Sequence, residues 1–153
     1  MTNRKLALAV LATILAGTAT PALATTTTKD CKPFSAADAR DRFDRWNASL
    51  ASGTADAVAL WYAPDAKLQL AIADKPINDQ RALRQFYEGA MLKGLKADVK
   101  ERKPLEVACN VATDRGVVEY THGGKTVKAE FKKVYEVQNG VWLIKEHQST
   151  VLR

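Results

Sequence analysis

The chain predicts an α+β domain: a long, strongly curved antiparallel sheet packed on three N-terminal helices. Three observations carry this. Two strand-like runs, 127–135 and 141–149, are joined through Asn139-Gly140, and both turn residues accept the positive φ that makes Asn-Gly the strongest local hairpin signal. Charged, strand-like stretches precede that hairpin from residue 97 onward. Before them come three apolar patterns of helical period. Helices and long strands segregated in this way belong to the α+β class. A curved sheet wrapped over helices encloses a cone with an apolar mouth, a standard place for a small-molecule pocket.

The chain has 153 residues and a formal net charge of +6, enough for one domain with a real core. Residues 1–24 read as a secretory signal peptide. Arg4 and Lys5 form a positive start, residues 6–15 an apolar run, and Gly17 and Pro21 break the helix before Ala22-Leu23-Ala24, a small-x-small cleavage order. The apolar run is shorter than the ~20 residues of a membrane span, and no later stretch is long enough. The expectation is an exported chain, periplasmic or secreted, that starts at Thr25 and has no membrane span after cleavage. Residues 25–34 form an N-terminal arm and residues 35–153 the domain.

Cys31 and Cys109 are the two cysteines. In an exported chain an even count suggests a disulfide, here one that would pin the arm to the sheet; two separate thiols are the alternative. Two Cys and two His without short ligand spacing give no metal site, and no cofactor motif is present. The basic clusters at 93–103 and 125–133 are interrupted by Glu101 and Glu130 and lack interleaved aromatics. They read as solvated faces, so no nucleic-acid partner is expected.

Ser35 caps the first helix, with Asp38 at its start and Ala39, Phe43, Trp46 and Leu50 on one face; Gly53 stops it. Thr54 or Asp56 opens a second helix through Val58, Leu60, Trp61 and Tyr62, which Pro64 ends. Residues 67–72 alternate as a strand. Asn78 or Asp79 caps a third helix with Leu83, Phe86, Tyr87, Ala90 and Met91 on one side, closed by Gly94. Residues 98–111 form one long charged strand in which Pro104 marks an edge or a bulge. Residues 115–121 follow, turning at Gly123-Gly124 into the closing hairpin.

Residues 48–66 (ASLASGTADAVALWYAPDA) resemble the helix, Gly-Asp, helix, Tyr-Ala-x-Asp-Ala opening of nuclear transport factor 2-like domains. Residues 142–150 (WLIKEHQST) resemble the Trp-x-Ile-x-x-His-His-Ser-Ser ending of one branch. That branch holds the association domain of calcium/calmodulin-dependent kinase II and bacterial SgcJ/EcaC-type (SnoaL-like) proteins. Residues 129–135 (AEFKKVY) sit where it carries Ala-Arg-Tyr-Thr-Phe-Val-Tyr. The resemblance spans about residues 35–151 and implies the cone-shaped, cystatin-like fold. Gln148 replaces the second His, and Glu130 replaces an Arg that lines the branch's pocket and suits carboxylates. The superfamily hosts enzymes, hub domains and ligand carriers, so the fold does not deliver the function.

Strict alternation puts Trp142, Ile144, Glu146 and Gln148 on one face of the last strand and Leu143, Lys145, His147 and Ser149 on the other. Candidate pocket residues are Trp46, Trp61, Tyr62, Phe86, Glu130 and His147. An enzyme in this cone needs a carboxylate or His as base and a donor for developing negative charge. Glu130 or Glu119 as base, with His147 or Tyr62 as donor, fits in outline if they converge on one cavity. The leading expectation is a non-enzymatic domain for assembly or for binding a small, partly apolar ligand. A cofactor-free proton-transfer enzyme and a protein-binding module are the alternatives. A homodimer is expected through the sheet, on a convex face carrying Phe131 and Tyr135.

Overall fold

The computed structural model describes residues 30–153. The predicted signal peptide and cleavage site lie outside the described residues. The elements are α1 (Ala36–Ser52), α2 (Ala55–Ala59), β1 (Tyr62–Gln69), α3 (Gln80–Leu92), β2 (Lys96–Arg102), β3 (Glu106–Ala108), β4 (Val111–His122), β5 (Lys125–Gln138) and β6 (Val141–Val151). Six strands form one sheet in the order β1-β6-β5-β4-β2, with β3 also paired to β4. The fold is α+β, as expected. The sheet is mixed rather than purely antiparallel, because β1 runs parallel to β6 along its outer edge. Among the described residues no helix is long and apolar enough to cross a membrane.

The helix starts follow capping chemistry. Ser35 and Asp38 exchange side-chain and backbone hydrogen bonds in a capping box. Thr54 caps α2 and Asp79 caps α3. The second helix is shorter than expected, because Tyr62 already opens β1. Pro64 therefore lies in a strand, not at a helix end. Proline is tolerated there because β1 is an edge strand and its register with β6 shifts between Tyr62 and Lys67.

The expected long strand over 98–111 is three pieces. Pro104 separates β2 from β3, and Asn110 turns at φ 60° into β4. The closing hairpin turns at Asn139 (φ 50°) and Gly140 (φ 76°), the positive-φ pair that its sequence demands.

Two bulges set the faces of the sheet. In β2 against β4, Val99 pairs with Val118 and Glu101 with Val117, leaving Lys100 as the extra residue. In β6 against β5, Ile144 pairs with Tyr135 and Glu146 with Val134, leaving Lys145 extra. An extra residue flips the alternation beyond it. Ala97 and Arg102 therefore share the inner face, as do Trp142, Ile144, His147 and Ser149. Strict alternation had separated Trp142 and Ile144 from His147. Next to the first bulge the backbones approach so closely that a Cβ on Gly116 would lie 1.9 Å from the Glu101 carbonyl oxygen.

The inner face packs on α1 and α3 in one core. On β5 the inward residues are Ala129, Phe131, Lys133 and Tyr135. Phe131 and Tyr135 are thus core residues, 3% and 1% exposed, and Phe131 meets Phe43 at 6.0 Å. They do not form the outer patch proposed for pairing two copies. The outer face instead carries half-buried Val117, Val134 and Leu143 among ion pairs such as Lys132–Glu146 at 3.3 Å.

The arm is fixed to the sheet. Cys31 and Cys109 form a disulfide, their Cα atoms 4.8 Å apart. The Asn110 side chain accepts from Lys32 N (2.7 Å) and donates to Asp30 O (3.1 Å). Phe34 stacks against Trp142 (4.7 Å) and Tyr135 (5.1 Å). The bridge closes a separation of 78 residues, and a loop of that size restricts the unfolded chain strongly. Cys31→Ser with Cys109→Ser is expected to lower stability by about 2–5 kcal/mol in urea unfolding. Two labelled thiols per chain in unfolded, unreduced wild-type protein would refute the bridge.

Candidate functional site

The inner face of the sheet carries polar groups that an ordinary core lacks. Among the described residues four buried ones are polar or charged: Asp114, Lys133, His147 and Ser149. With Arg102 and three tyrosines, the first three of these form two linked clusters between the sheet and the helices α1 and α3.

The first cluster centres on His147. Its Nδ1 lies 2.9 Å from the Tyr62 hydroxyl, which pairs with the Tyr87 hydroxyl at 2.5 Å. The Tyr120 hydroxyl lies 3.4 Å from His147 Nε2. Trp46 meets the imidazole edge-on at 5.6 Å. Burial, then the nearby Lys133, holds His147 well below its ordinary value, so the ring is neutral at physiological pH. Burial raises all three phenols, Tyr120 to about 12. The result is a chain of neutral hydroxyls and one imidazole, each able to donate or accept.

The second cluster is Lys133, Asp114 and Arg102. Asp114 on β4 and Lys133 on β5 are direct cross-strand partners. The Asp114 carboxylate is nevertheless held by the Arg102 guanidinium. The Lys133 Nζ instead lies over the rings of Trp46 (3.8 Å) and Phe43 (4.2 Å). This nitrogen is buried without a hydrogen-bond partner among the described residues, whereas the Trp46 indole N–H lies near the Tyr62 and Tyr87 hydroxyls. Burial lowers the Lys133 pKa strongly, against the opposing pull of Asp114. A cation of this kind sheds its proton when its surroundings cannot replace water.

Of the residues expected to line a pocket, Trp46, Tyr62 and His147 do come together here. Trp61 and Phe86 are half-buried at the margin, Phe86 against Tyr87 at 5.1 Å. Glu130 and Glu119 do not join them. Both occupy outer-face positions of the sheet: Glu130 stands 4.0 Å from Lys103 and Glu119 is 3.0 Å from Lys100. The constellation of an outer carboxylate with His147 or Tyr62 is therefore not assembled, and Glu130 does not stand at an inward position.

Sequence reasoning missed Lys133, Asp114 and Arg102 as site residues. A signal was present for two of them. Lys133 falls in phase with Ala129, Phe131 and Tyr135, and Asp114 in phase with Ala112, Val118 and Tyr120. A charge at an inward phase of an apolar strand is the mark to look for. Arg102 carried no such mark, because its phase depends on the Lys100 bulge.

Clefts open on both sides of Arg102. One of ≈ 390 Å³ runs between α1 and β2, with Phe43, Asn47, Ala97 and Arg102 among its lining. Another of ≈ 270 Å³ is bounded by Ala39, Pro104, Leu105, Arg102 and Asp114. The Asn47 amide is hydrogen-bonded to both backbone groups of Ala97, at 2.8 and 2.9 Å. It is therefore occupied in fastening α1 to the edge strand.

Solved structures place this geometry among known folds. A Xanthomonas campestris protein, provisionally assigned as a calcium/calmodulin-dependent protein kinase II association domain, is 30% identical with a TM-score of 0.71. The match covers 78% of this chain and 89% of that one. The chain belongs to the nuclear transport factor 2-like superfamily. A Nostoc punctiforme protein of cystatin-like fold (18% identity, TM-score 0.62, 79% and 96% covered) shares the fold. So does a Novosphingobium aromaticivorans protein provisionally assigned as a scytalone dehydratase (14%, 0.63, 75% and 82%). No family model matches the sequence, and no curated protein is similar to it. The branch ending at 142–150 and the strand at 129–135 are thus parts of a nuclear transport factor 2-like sheet. An inward position of that strand is occupied by Lys133.

Replacing Lys133 tests its state. Between its lowered pKa and the ordinary 10.5, the unfolded chain binds a proton that the native state does not. Native stability therefore rises with pH across that window. Lys133→Met keeps the length and removes the amine. It is expected to raise stability near neutral pH by on the order of 1–3 kcal/mol, the cost of an unpartnered buried polar group, and to flatten the rise. His147 adds a second slope: below its ordinary 6.5 the unfolded chain alone takes up that proton, so stability falls with acidification. Urea unfolding over a pH series measures both. An unchanged slope and unchanged stability in Lys133→Met would contradict this account.

Proposed function

We propose that the chain is an exported domain that binds a small, partly apolar ligand inside the cone between sheet and helices. One observation carries the reading: the Lys133 Nζ is buried in the interior without a hydrogen-bond partner among the described residues. Buried polar groups are almost always paired, and an unpaired one costs more than an apolar replacement would. A ligand with a carboxylate or carbonyl oxygen supplies the acceptor. The aromatic walls of Phe43, Trp46 and Tyr62 supply the contact for its apolar part. The disulfide between Cys31 and Cys109 and the leader-like residues 1–24 support an exported chain.

The proton-transfer alternative has less support, since the carboxylates expected to act as bases occupy outer-face positions. Assembly remains part of the proposal in another form. With Phe131 and Tyr135 in the core, a second copy would have to pair on the outer face around Val117, Val134 and Leu143. Sedimentation of the mature protein is expected to give a dimer that Val134→Glu splits. A wild-type monomer at high concentration would end that idea.

The ligand reading is tested by native mass spectrometry of the mature protein from its own cells. The expected result is a small co-purified mass, retained by Glu130→Gln and lost in Lys133→Met. Bare polypeptide mass, with a melting temperature unmoved by small carboxylic acids and ketones, would overturn it.

A further inference from the structure

The ion pairs of the sheet stop short of one end. Lys132 pairs with Glu146, Arg115 with Glu106, Lys145 with Asp65, and Lys100 with both Asp98 and Glu119. The exposed Lys93, Lys96, Lys125 and Lys128 make no ion pair among the described residues. The topology gathers these four. Lys93 follows α3, and its carbonyl accepts from Gly123 N at 2.8 Å in the turn between β4 and β5. Lys96 opens β2 opposite Thr121, and Lys125 opens β5 opposite His122. Lys128 stands further along β5, opposite Glu119.

The same end exposes apolar side chains. Leu92, the last residue of α3, is 86% exposed beside Lys93. Val151 ends β6 and is 50% exposed. Leu152, 39% exposed, donates its backbone N–H to Lys128 O at 2.9 Å. Between them lies Gly123-Gly124, at φ 58° and 75°, where an added Cβ would meet nothing within 4 Å. This tip stands clear of the domain and offers bare backbone to whatever lies against it. At about 4.8 Å per strand, the rim from β2 to β6 spans roughly 15 Å. The acids around it do not cancel its charge. Asp98 and Glu119 are held by Lys100, Asp74 in the loop after β1 adjoins Lys75, and Glu88 lies about 6 Å back along the axis of α3.

Lysines alone would suit any polyanion. Exposed leucines among them gain nothing from a sugar-phosphate chain, but they do gain from an acyl layer beneath a layer of phosphates. We propose that this end of the domain docks on a bilayer containing anionic phospholipid. Lys93, Lys96, Lys125 and Lys128 meet the headgroup phosphates, the glycine turn approaches them closely, and Leu92 enters the acyl boundary. For a chain exported as proposed above, that surface is the outer leaflet of the membrane it has crossed. Docking does not involve the interior around Lys133, so this inference stands apart from the ligand reading.

Co-sedimentation of the mature protein with vesicles tests it. Saturable binding is expected to vesicles of equal parts phosphatidylcholine and phosphatidylglycerol, and none to phosphatidylcholine alone. Binding should be lost at about 1 M salt, where the screening length is about 3 Å. Each lysine near such a surface contributes about fivefold in affinity, so Lys93→Gln with Lys125→Gln should weaken binding about 30-fold. Leu92→Ser should weaken it about tenfold. Lys67→Gln with Arg81→Gln removes the same charge from exposed positions elsewhere and should leave binding within about twofold of wild type, the effect of net charge alone. All three variants are surface changes, and unchanged far-UV spectra and melting temperatures confirm that they fold. Absence of binding to the anionic vesicles at low salt overturns the proposal. Equal losses in the two double variants overturn the location. Binding unaffected by Leu92→Ser, with heparin bound as tightly as the vesicles, overturns the lipid surface in favour of a soluble polyanion.

Discussion

Two extra residues, Lys100 in β2 and Lys145 in β6, decide what the interior of this domain contains. A strand shows alternate residues to opposite faces, so one inserted residue exchanges the faces for everything beyond it. Without the Lys145 bulge, His147 and Ser149 would face outward while Trp142 and Ile144 faced the core. Without the Lys100 bulge, Arg102 would face outward and Asp114 would lose its cation. Each bulged lysine is itself tied outside, Lys145 to Asp65 and Lys100 to Asp98 and Glu119. The outer ion pairs therefore sit at the points where the inner polar groups are brought in.

The rest of the architecture holds those groups in place. The disulfide and the Asn110 hydrogen bonds fasten the arm, which lets Phe34 close over Tyr135 and Trp142. α1 then presses Phe43 and Trp46 onto Lys133, and α3 supplies Tyr87 to the hydroxyl chain. Such a core is more polar than stability alone would select. Apolar replacements of buried charged groups are often neutral or stabilising, so an interior that keeps Lys133, Asp114, Arg102 and His147 suggests a use for them. The superfamily fold does not specify that use, because the same cone hosts many activities.

Much of the fold was legible in the residues. Ser35 with Asp38, Asp79, Gly94 and Asn139-Gly140 each mark an element end through local backbone chemistry, which acts within a few residues and so can be read along the chain. The bridge between Cys31 and Cys109 and the pinned arm followed from the cysteine count and the leader. Tyr62 and Pro64 misled because an edge strand tolerates a proline that would end a helix. Residues 98–111 misled because alternating charge does not show where a strand breaks.

What the sequence by itself determined was the α+β order of elements, the hairpin, the caps and the superfamily resemblance. All of these depend on short-range propensity or on motif order. What only the tertiary structure decided was the direction of side chains on a bulged sheet. Phe131 and Tyr135 point in rather than out, Glu119 and Glu130 occupy outer positions, and Lys133 lies unpartnered over Trp46. The parity of a strand residue depends on every insertion between it and its paired neighbour. That pairing is a contact between residues far apart in the chain, which no local pattern encodes.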